Sequence, residues 1–222
     1  MNRTLTIDVY FDVICPWCLI GKRHLDTTLA QLRADQPDIV IEINWHGVQL
    51  LPQLPAQGLP FADFYRQRLG SETAVRARQH QVQQAAEAAG VELDLSRIRT
   101  MPNTADVHRL FQQAARSASP AQQDTLLERI FAAYFTNGED LGDGETLRTL
   151  SRESGISPAA IEHCLLGDGK PFQGEPGAPA VQSVPGFVFN GIRTLSGAQP
   201  VDVLEGAIYR LLSLTDRCGL PA

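Results

Sequence analysis

Cys15 and Cys18, with Pro16 and Trp17 between them, are the residues of this chain whose type and spacing promise chemistry. Only the thiolate form of cysteine attacks a disulfide or binds a metal, and a free thiol with a pKa of about 8.5 is mostly protonated at neutral pH. A three-residue separation on a helix puts the second sulfur about one turn further in, within disulfide reach of the first. The pair therefore divides naturally. Cys15 is expected to be the more exposed thiol, the one that exchanges with a partner, and Cys18 the inner thiol that releases the mixed disulfide.

What precedes and follows the pair supports that placement. Leu5 to Ile14 is apolar and β-branched apart from Asp8 and Asp12, which predicts a strand buried on both faces. After Cys18, residues Leu19, Ile20, Leu25, Leu29 and Leu32 recur at helical spacing to about Ala34. Pro16 suits the first turn of that helix, where its missing N–H costs nothing. Cys15 would then sit at the helix N-terminus, where unpaired N–H groups and the positive dipole end favour the anion. Ile39 to Trp45 reads as a second strand, so the pair lies where strand becomes helix in a βαβ unit.

The other reading of two closely spaced cysteines is half of a zinc site. It needs a second ligand pair, and Cys164 beside His163 is an isolated candidate. With Pro16 inside the motif the exchange reading is preferred, no metal and no cofactor is expected, and Cys164 and Cys218 are taken as ordinary small apolar residues.

The middle of the chain changes pattern. After a loop marked by Pro52, Pro55, Gly58 and Pro60, helices are expected on the stripes Val75–Val82–Ala86–Ala89 and Val107–Leu110–Phe111–Ala114–Ala115. Ser119–Pro120–Ala121–Gln122 is a capping-box start for a helix carrying Leu126 to Phe135. A Gly/Asp turn follows from Asn137 to Gly144, a short helix begins at Ser157–Pro158, and Gly167 to Pro179 is a Gly/Pro loop. Strands return at Gly186–Phe189 and Ile192–Leu195 around Asn190–Gly191, the strongest short hairpin signal. A last helix, entered through Pro200, carries Val201, Leu204, Ile208, Leu211 and Leu212.

The expected fold is α/β: βαβ plus ββα in a thioredoxin-like arrangement, with a large all-helical insertion. Residues 1–50 and 180–222 would form the thioredoxin-like domain and 60–175 the insertion, since the gap between strands is too long for a loop. In such a fold Pro185 is expected in cis linkage to Val184, facing the cysteine pair and offering the Val184 backbone to an extended peptide. Sterics alone also tolerate a proline at a strand start.

Composition closes off other classes. Lysine plus arginine number 19 against 25 aspartate plus glutamate, a net charge of −6 that disfavours nucleic acid as a partner. The chain is 43% hydrophobic and 20% charged, which is unlike a disordered chain. No apolar run is long enough to span a bilayer, the start lacks a signal-peptide pattern, and a cytoplasmic address is expected.

Several motifs together resemble the DsbA-like oxidoreductases of the FrnE type. Asp12–Val13–Ile14–Cys15–Pro16–Trp17–Cys18–Leu19–Ile20–Gly21–Lys22 is similar to that family's D-x-x-C-P-W-C-x-I-G-K opening. Asn103–Thr104 through His108–Arg109–Leu110 resembles its N-T-x-x-A-H-R-L helix start, and Ala133 to Asp140 its A-Y-F-x-x-G-x-D stretch. Val184–Pro185–Gly186–Phe187–Val188–Phe189 and Leu195 to Gln199 resemble V-P-x-F-V-F and L-S-G-A-Q. The resemblance implies thiol–disulfide oxidoreductase activity on protein or low-molecular-weight substrates, with Cys15 and Cys18 as the redox pair. Pro16, Trp17, Val184 and Pro185 become candidate substrate contacts. It also implies that Asn103 and Thr104 point toward the active-site groove, although both residue types are equally good helix N-caps. His108 reads as a packing histidine.

Leu19, Gly186 and Trp45–His46–Gly47–Val48 depart from the family's usual residues. The same fold branch holds an alternative, the glutathione-dependent isomerases and transferases of the 2-hydroxychromene-2-carboxylate isomerase and kappa classes, which usually carry Ser where Cys15 stands. Oligomeric state and direction of electron flow have no sequence signature here.

Overall fold

In a computed structural model, residues 3–174 and 183–218 are described, with side chains through 214. The far end of the Gly167–Pro179 loop and the side chain of Cys218 lie outside the described residues. The chain divides into two compact units: Met1–Phe11, Trp17–His46 and Pro176–Ala222 in one, Asp12–Pro16 and Gly47–Glu175 in the other.

The first unit is built on a four-stranded sheet in the order β2-β1-β5-β6. Its strands are β1 (Arg3–Phe11), β2 (Ile39–Gly47), β5 (Gly186–Phe189) and β6 (Arg193–Ser196), and its helices are α1 (Pro16–Asp35) and α8 (Val201–Cys218). β1 and β5 pair antiparallel, with Ile7 opposite Phe189 and Val9 opposite Phe187. Leu5, Ile7 and Val9 point into a core shared with Leu25, Leu29, Phe187, Phe189, Leu204 and Ile208. The expectation of burial on both faces holds only from Val9 onward, because the first part of β1 alternates. Asp8 faces away from the core, and its Oδ1 accepts from Asn44 Nδ2 at 3.2 Å and lies 2.9 Å from His46 Nε2. An aspartate that interrupts an apolar run is thus a cross-strand polar pair on the outer face.

The β5–β6 hairpin turns through Asn190 and Gly191, with φ of 48° and 66°. These left-handed angles are the ones Asn and Gly adopt most easily. Asn190 also ties the turn to β1: its N–H donates to the Thr6 carbonyl and its Oδ1 accepts from the Thr6 N–H, both at 2.8 Å. α1 buries Cys18, Leu25, Leu29 and Leu32 on its inner face. Lys22 is buried too, its Nζ 3.0 Å from Asp26 Oδ2 and 5.9 Å from the Trp45 ring centre.

The second unit holds α2 (Phe61–Leu69), α3 (Glu72–Ala88), α4 (Ala105–Ser117), α5 (Pro120–Ala132), α6 (Gly144–Glu153) and α7 (Pro158–Ile161). A π-turn (Ala133–Asn137) extends α5 and a 3₁₀ turn (Glu162–Cys164) extends α7. The insertion is helical as expected, apart from one short strand pair. β3 (Leu59–Pro60) pairs with β4 (Thr100–Met101), a two-residue bridge on which Phe61 opens α2. α2 itself carries no clear apolar stripe, with only Phe61 fully buried, and it follows a proline-rich loop that masks its start. The capping box predicted at Ser119 is formed: Ser119 Oγ accepts from the Gln122 N–H, and Gln122 reaches back to the Ser119 N–H. Among the described residues no helix is long and apolar enough to cross a membrane.

Candidate active site

β1 ends at Phe11 and α1 begins at Pro16, so Asp12–Cys15 is the turn that converts strand into helix. The Cys15 N–H donates to the Asp12 carbonyl at 3.1 Å, which closes the turn. The Asp12 side chain reinforces it, with Oδ1 accepting from the Ile14 N–H at 3.4 Å and Oδ2 from the Leu50 N–H at 2.7 Å. Because Pro16 opens the helix, Cys15 occupies the cap position and Cys18 lies three residues in, at the inner end of the first turn. An N-terminal helical turn presents N–H groups without intrahelical partners, the environment that favours a thiolate.

Exposure follows the expected order, and burial exceeds it. Cys15 retains 8% of its accessible surface and Cys18 2%. Cys15 belongs to the second unit, whose Tyr65 on α2 lies within electrostatic range of it. Burial pushes the Tyr65 hydroxyl above its ordinary value, and the charge of Cys15 adds to that shift. Pro16 and Trp17 are half-buried.

In the first unit, the Val184–Pro185 peptide bond is cis. Pro185 is buried and Val184 half-buried, immediately ahead of β5. The Pro185 ring packs on α1 three residues beyond Cys18: a Cβ built on Gly21 would fall 2.8 Å from Pro185 Cγ and 3.3 Å from Phe187 Cζ. Gly21 is therefore required by close approach, which the I-G-K pattern of the sequence signalled without explaining.

Asn103 and Thr104 sit before α4 and are both buried. Asn103 is a bracket, and of its two sequence readings the hydrogen bonds fit the capping one. Its Oδ1 accepts from Gln49 Nε2 at 2.9 Å and from the Ala105 N–H at 3.0 Å. Its Nδ2 donates to the carbonyls of Leu54 at 2.6 Å and Gly169 at 3.2 Å. All of its hydrogen-bonding capacity is used within the protein, leaving none for a substrate. Thr104 occupies the cap position of α4 without a side-chain cap bond, so Asn103, one residue earlier, does the capping. The Thr104 hydroxyl is buried without a hydrogen-bond partner in the protein.

His108 is the buried packing histidine the sequence suggested, with a partner the sequence did not mark. It is buried to 1% exposure with its Nε2 3.1 Å from Asp12 Oδ1, and Asp12 is itself fully buried. Ninety-six positions separate the two in sequence, and neither periodicity nor spacing marks the pairing. Cys164 is buried, and burial pushes its thiol above the ordinary value. Among the described residues no group of three or more His, Cys, Asp or Glu side chains is placed to hold a metal ion.

Residues 6–170 match the family described as the DSBA-like thioredoxin domain. The chain belongs to that family. Among relatives, the uncharacterized protein YwbO of Bacillus subtilis (strain 168) is 25% identical over 213 residues, covering 92% of this chain and 96% of the relative. A probable DsbA oxidoreductase, SCO1869 of Streptomyces coelicolor, superposes with a TM-score of 0.77 at 22% identity over 94% of this chain and 90% of that one. A 2-hydroxychromene-2-carboxylate isomerase superposes at 0.64 with 18% identity over 96% and 98%. The cytosolic disulfide reductase DsbM of Pseudomonas aeruginosa, solved with GSH, superposes at 0.56 with 16% identity over 94% and 99%. At these identities the solved structures bear on fold.

Proposed function

We propose that this DSBA-like protein is a thiol–disulfide oxidoreductase of the FrnE type, acting on protein or low-molecular-weight disulfides through Cys15 and Cys18. The observation that carries the reading is the cap position of Cys15 on α1, with Cys18 three residues inward on the same helix. In the reducing direction, the Cys15 thiolate attacks one sulfur of the substrate disulfide and displaces the other as a thiolate. Cys18 then loses its proton and attacks the Cys15 sulfur of the mixed disulfide, releasing the second substrate thiolate. Two electrons pass to the substrate, and a Cys15–Cys18 disulfide remains. Run in reverse, the same steps oxidise a dithiol, and neither direction needs a cofactor or metal.

Pro16 and Trp17 at the start of α1, and the Val184–Pro185 backbone ahead of β5, are assigned to substrate contact. Asn103 is assigned to scaffold for the reason given above. Residues 1–50 and 180–222 are assigned to the thioredoxin-like domain and 60–175 to the insertion. One closely spaced pair among four cysteines is the usage of a reducing compartment, and a cytoplasmic address follows.

Turnover tests the reading. In dithiothreitol-driven insulin reduction, Cys15→Ser and Cys18→Ser are each expected to abolish activity, and only Cys18→Ser should accumulate a substrate mixed disulfide. Wild-type turnover by Cys15→Ser would overturn it. The second reading, a glutathione-dependent isomerase or transferase, is favoured by the fold likeness to the isomerase. Calorimetric glutathione binding that survives Cys15→Ser, together with absent insulin reduction, is the result that would install it.

A further inference from the structure

The exchange steps leave a buried ionisable pair, Asp12 and His108, without a stated task. Both side chains are fully shielded from solvent, and a buried pair of this kind costs several kcal/mol in desolvation that an apolar pair of similar volume avoids. Its location is specific. Asp12 forms the turn that ends at Cys15, and its carboxylate takes the Ile14 and Leu50 N–H groups at 3.4 and 2.7 Å. His108 is fixed on three sides: Asp12 at Nε2, the Phe172 ring stacked at 5.3 Å and 24°, and Gly47, whose Cβ would fall 2.5 Å from Nδ1. Phe172 is held in turn, its N–H donating to Gln49 Oε1 at 2.7 Å while Gln49 Nε2 donates to Asn103.

A neutral Asn would keep the backbone bond that closes the turn, though its single side-chain oxygen could accept only one of the Ile14 and Leu50 N–H groups. A carboxylate there adds a negative charge three residues from the Cys15 sulfur, which opposes thiolate formation unless a donor holds and screens it. We propose that His108 is a positioning residue for the Cys15 thiol: it holds and screens the Asp12 carboxylate in the turn before α1, so that the helix N-terminus sets the acidity of the sulfur. The proposal rests on Cys15 being the exchanging thiol. Among the ionisable groups near this turn, Tyr65 senses Cys15, Arg68 and Arg78, and Tyr134 senses Tyr65, Asp12 and Asp140. Both tyrosines stay constant across the variants below.

The test is the pH dependence of iodoacetamide alkylation at Cys15, followed by peptide mass spectrometry in the reduced full-length chain carrying Cys18→Ser. His108→Phe keeps a ring against Phe172 and removes the donor. It is expected to raise the midpoint by about one unit and so to slow alkylation roughly tenfold at pH values below the midpoint. His108→Gln, which restores a donor, is expected to recover most of that loss. Asp12→Asn can still accept the Leu50 N–H and is expected to lower the midpoint. A merely structural role would not move Asp12→Asn and His108→Phe in opposite directions. An unmoved or raised midpoint in Asp12→Asn overturns the proposal, even if His108→Phe fails to fold. A folded His108→Phe with the wild-type midpoint does the same. Wild-type insulin turnover alongside unmoved midpoints would sink this inference alone, whereas full turnover by Cys15→Ser would remove the reading beneath it.

Discussion

Cys15 keeps a small window to solvent while Cys18 keeps almost none, which is why the proposed exchange starts at the first sulfur. The third described cysteine provides a contrast. Cys164 ends a 3₁₀ turn, and burial pushes its thiol upward with no helix N-terminus to offset it. At pH 7.5 Cys164 is expected to alkylate at least tenfold more slowly than Cys15, and to react freely once urea unfolds the chain. Equal rates in the folded protein would contradict that ordering. At this scale the sequence was informative about the pair and its helix start, because spacing and local residue types determine both. It was silent on Asp12 with His108, since a contact across 96 positions depends on how α4 packs. It also left Asn103 ambiguous, because cap and groove roles use the same residue type.

Helix starts and close approaches decide the elements. Asp143 caps α6, and the Thr146 N–H bonded to its carboxylate, with the Thr146 hydroxyl beside it, holds its pKa below the ordinary 3.8. A carboxyl depressed in the folded state contributes its full stability above the unfolded value of about 3.9 and loses it as pH falls through the folded value. Asp143→Ala is expected to cost about 0.5–1 kcal/mol at pH 7, the lower end being favoured by its exposure. The deficit should shrink toward zero as urea unfolding is repeated at progressively lower pH below about 4. A deficit that persists unchanged into acid would show that the cap is not electrostatic.

Gly21 is the opposite case. Alanine gains about 1 kcal/mol of helix propensity. Its methyl, however, meets the rigid Pro185 ring at 2.8 Å, and overpacking costs about 1–3 kcal/mol. Gly21→Ala is expected to lower stability by about 1 kcal/mol net, measured by urea unfolding, and a net gain would show that the ring yields. The amphipathic helices and the Asn190 turn were legible because periodicity and turn chemistry are local. α2 and the β3–β4 bridge were not, being too short or too polar to impose a pattern.

For the molecule as a whole, the sheet order follows from the hydrophobic runs. β5 is buried along its full length, and a four-residue strand buried at every position belongs inside a sheet. Phe189, with no exposed surface, pairs with Ile7 in that sheet. Phe189→Ala is expected to remove about 3–5 kcal/mol, read as a fall in the urea midpoint at unchanged slope. A loss under about 1 kcal/mol would mean that the site collapses around the missing ring. Fold class was legible because the βαβ and ββα patterns survive a long insertion between them. The division of the chain was less so: Asp12–Pro16 groups with the second unit, through contacts made by a turn that carries no compositional signal. That grouping gives the turn before Cys15 a direct link to α4, and it makes the acidity of one sulfur the quantity on which the account depends. The most direct measurement is the alkylation midpoint of Cys15 in the Cys18→Ser chain. The expected value lies clearly below the roughly 8.5 of an ordinary thiol. A midpoint at or above the ordinary one would contradict the account.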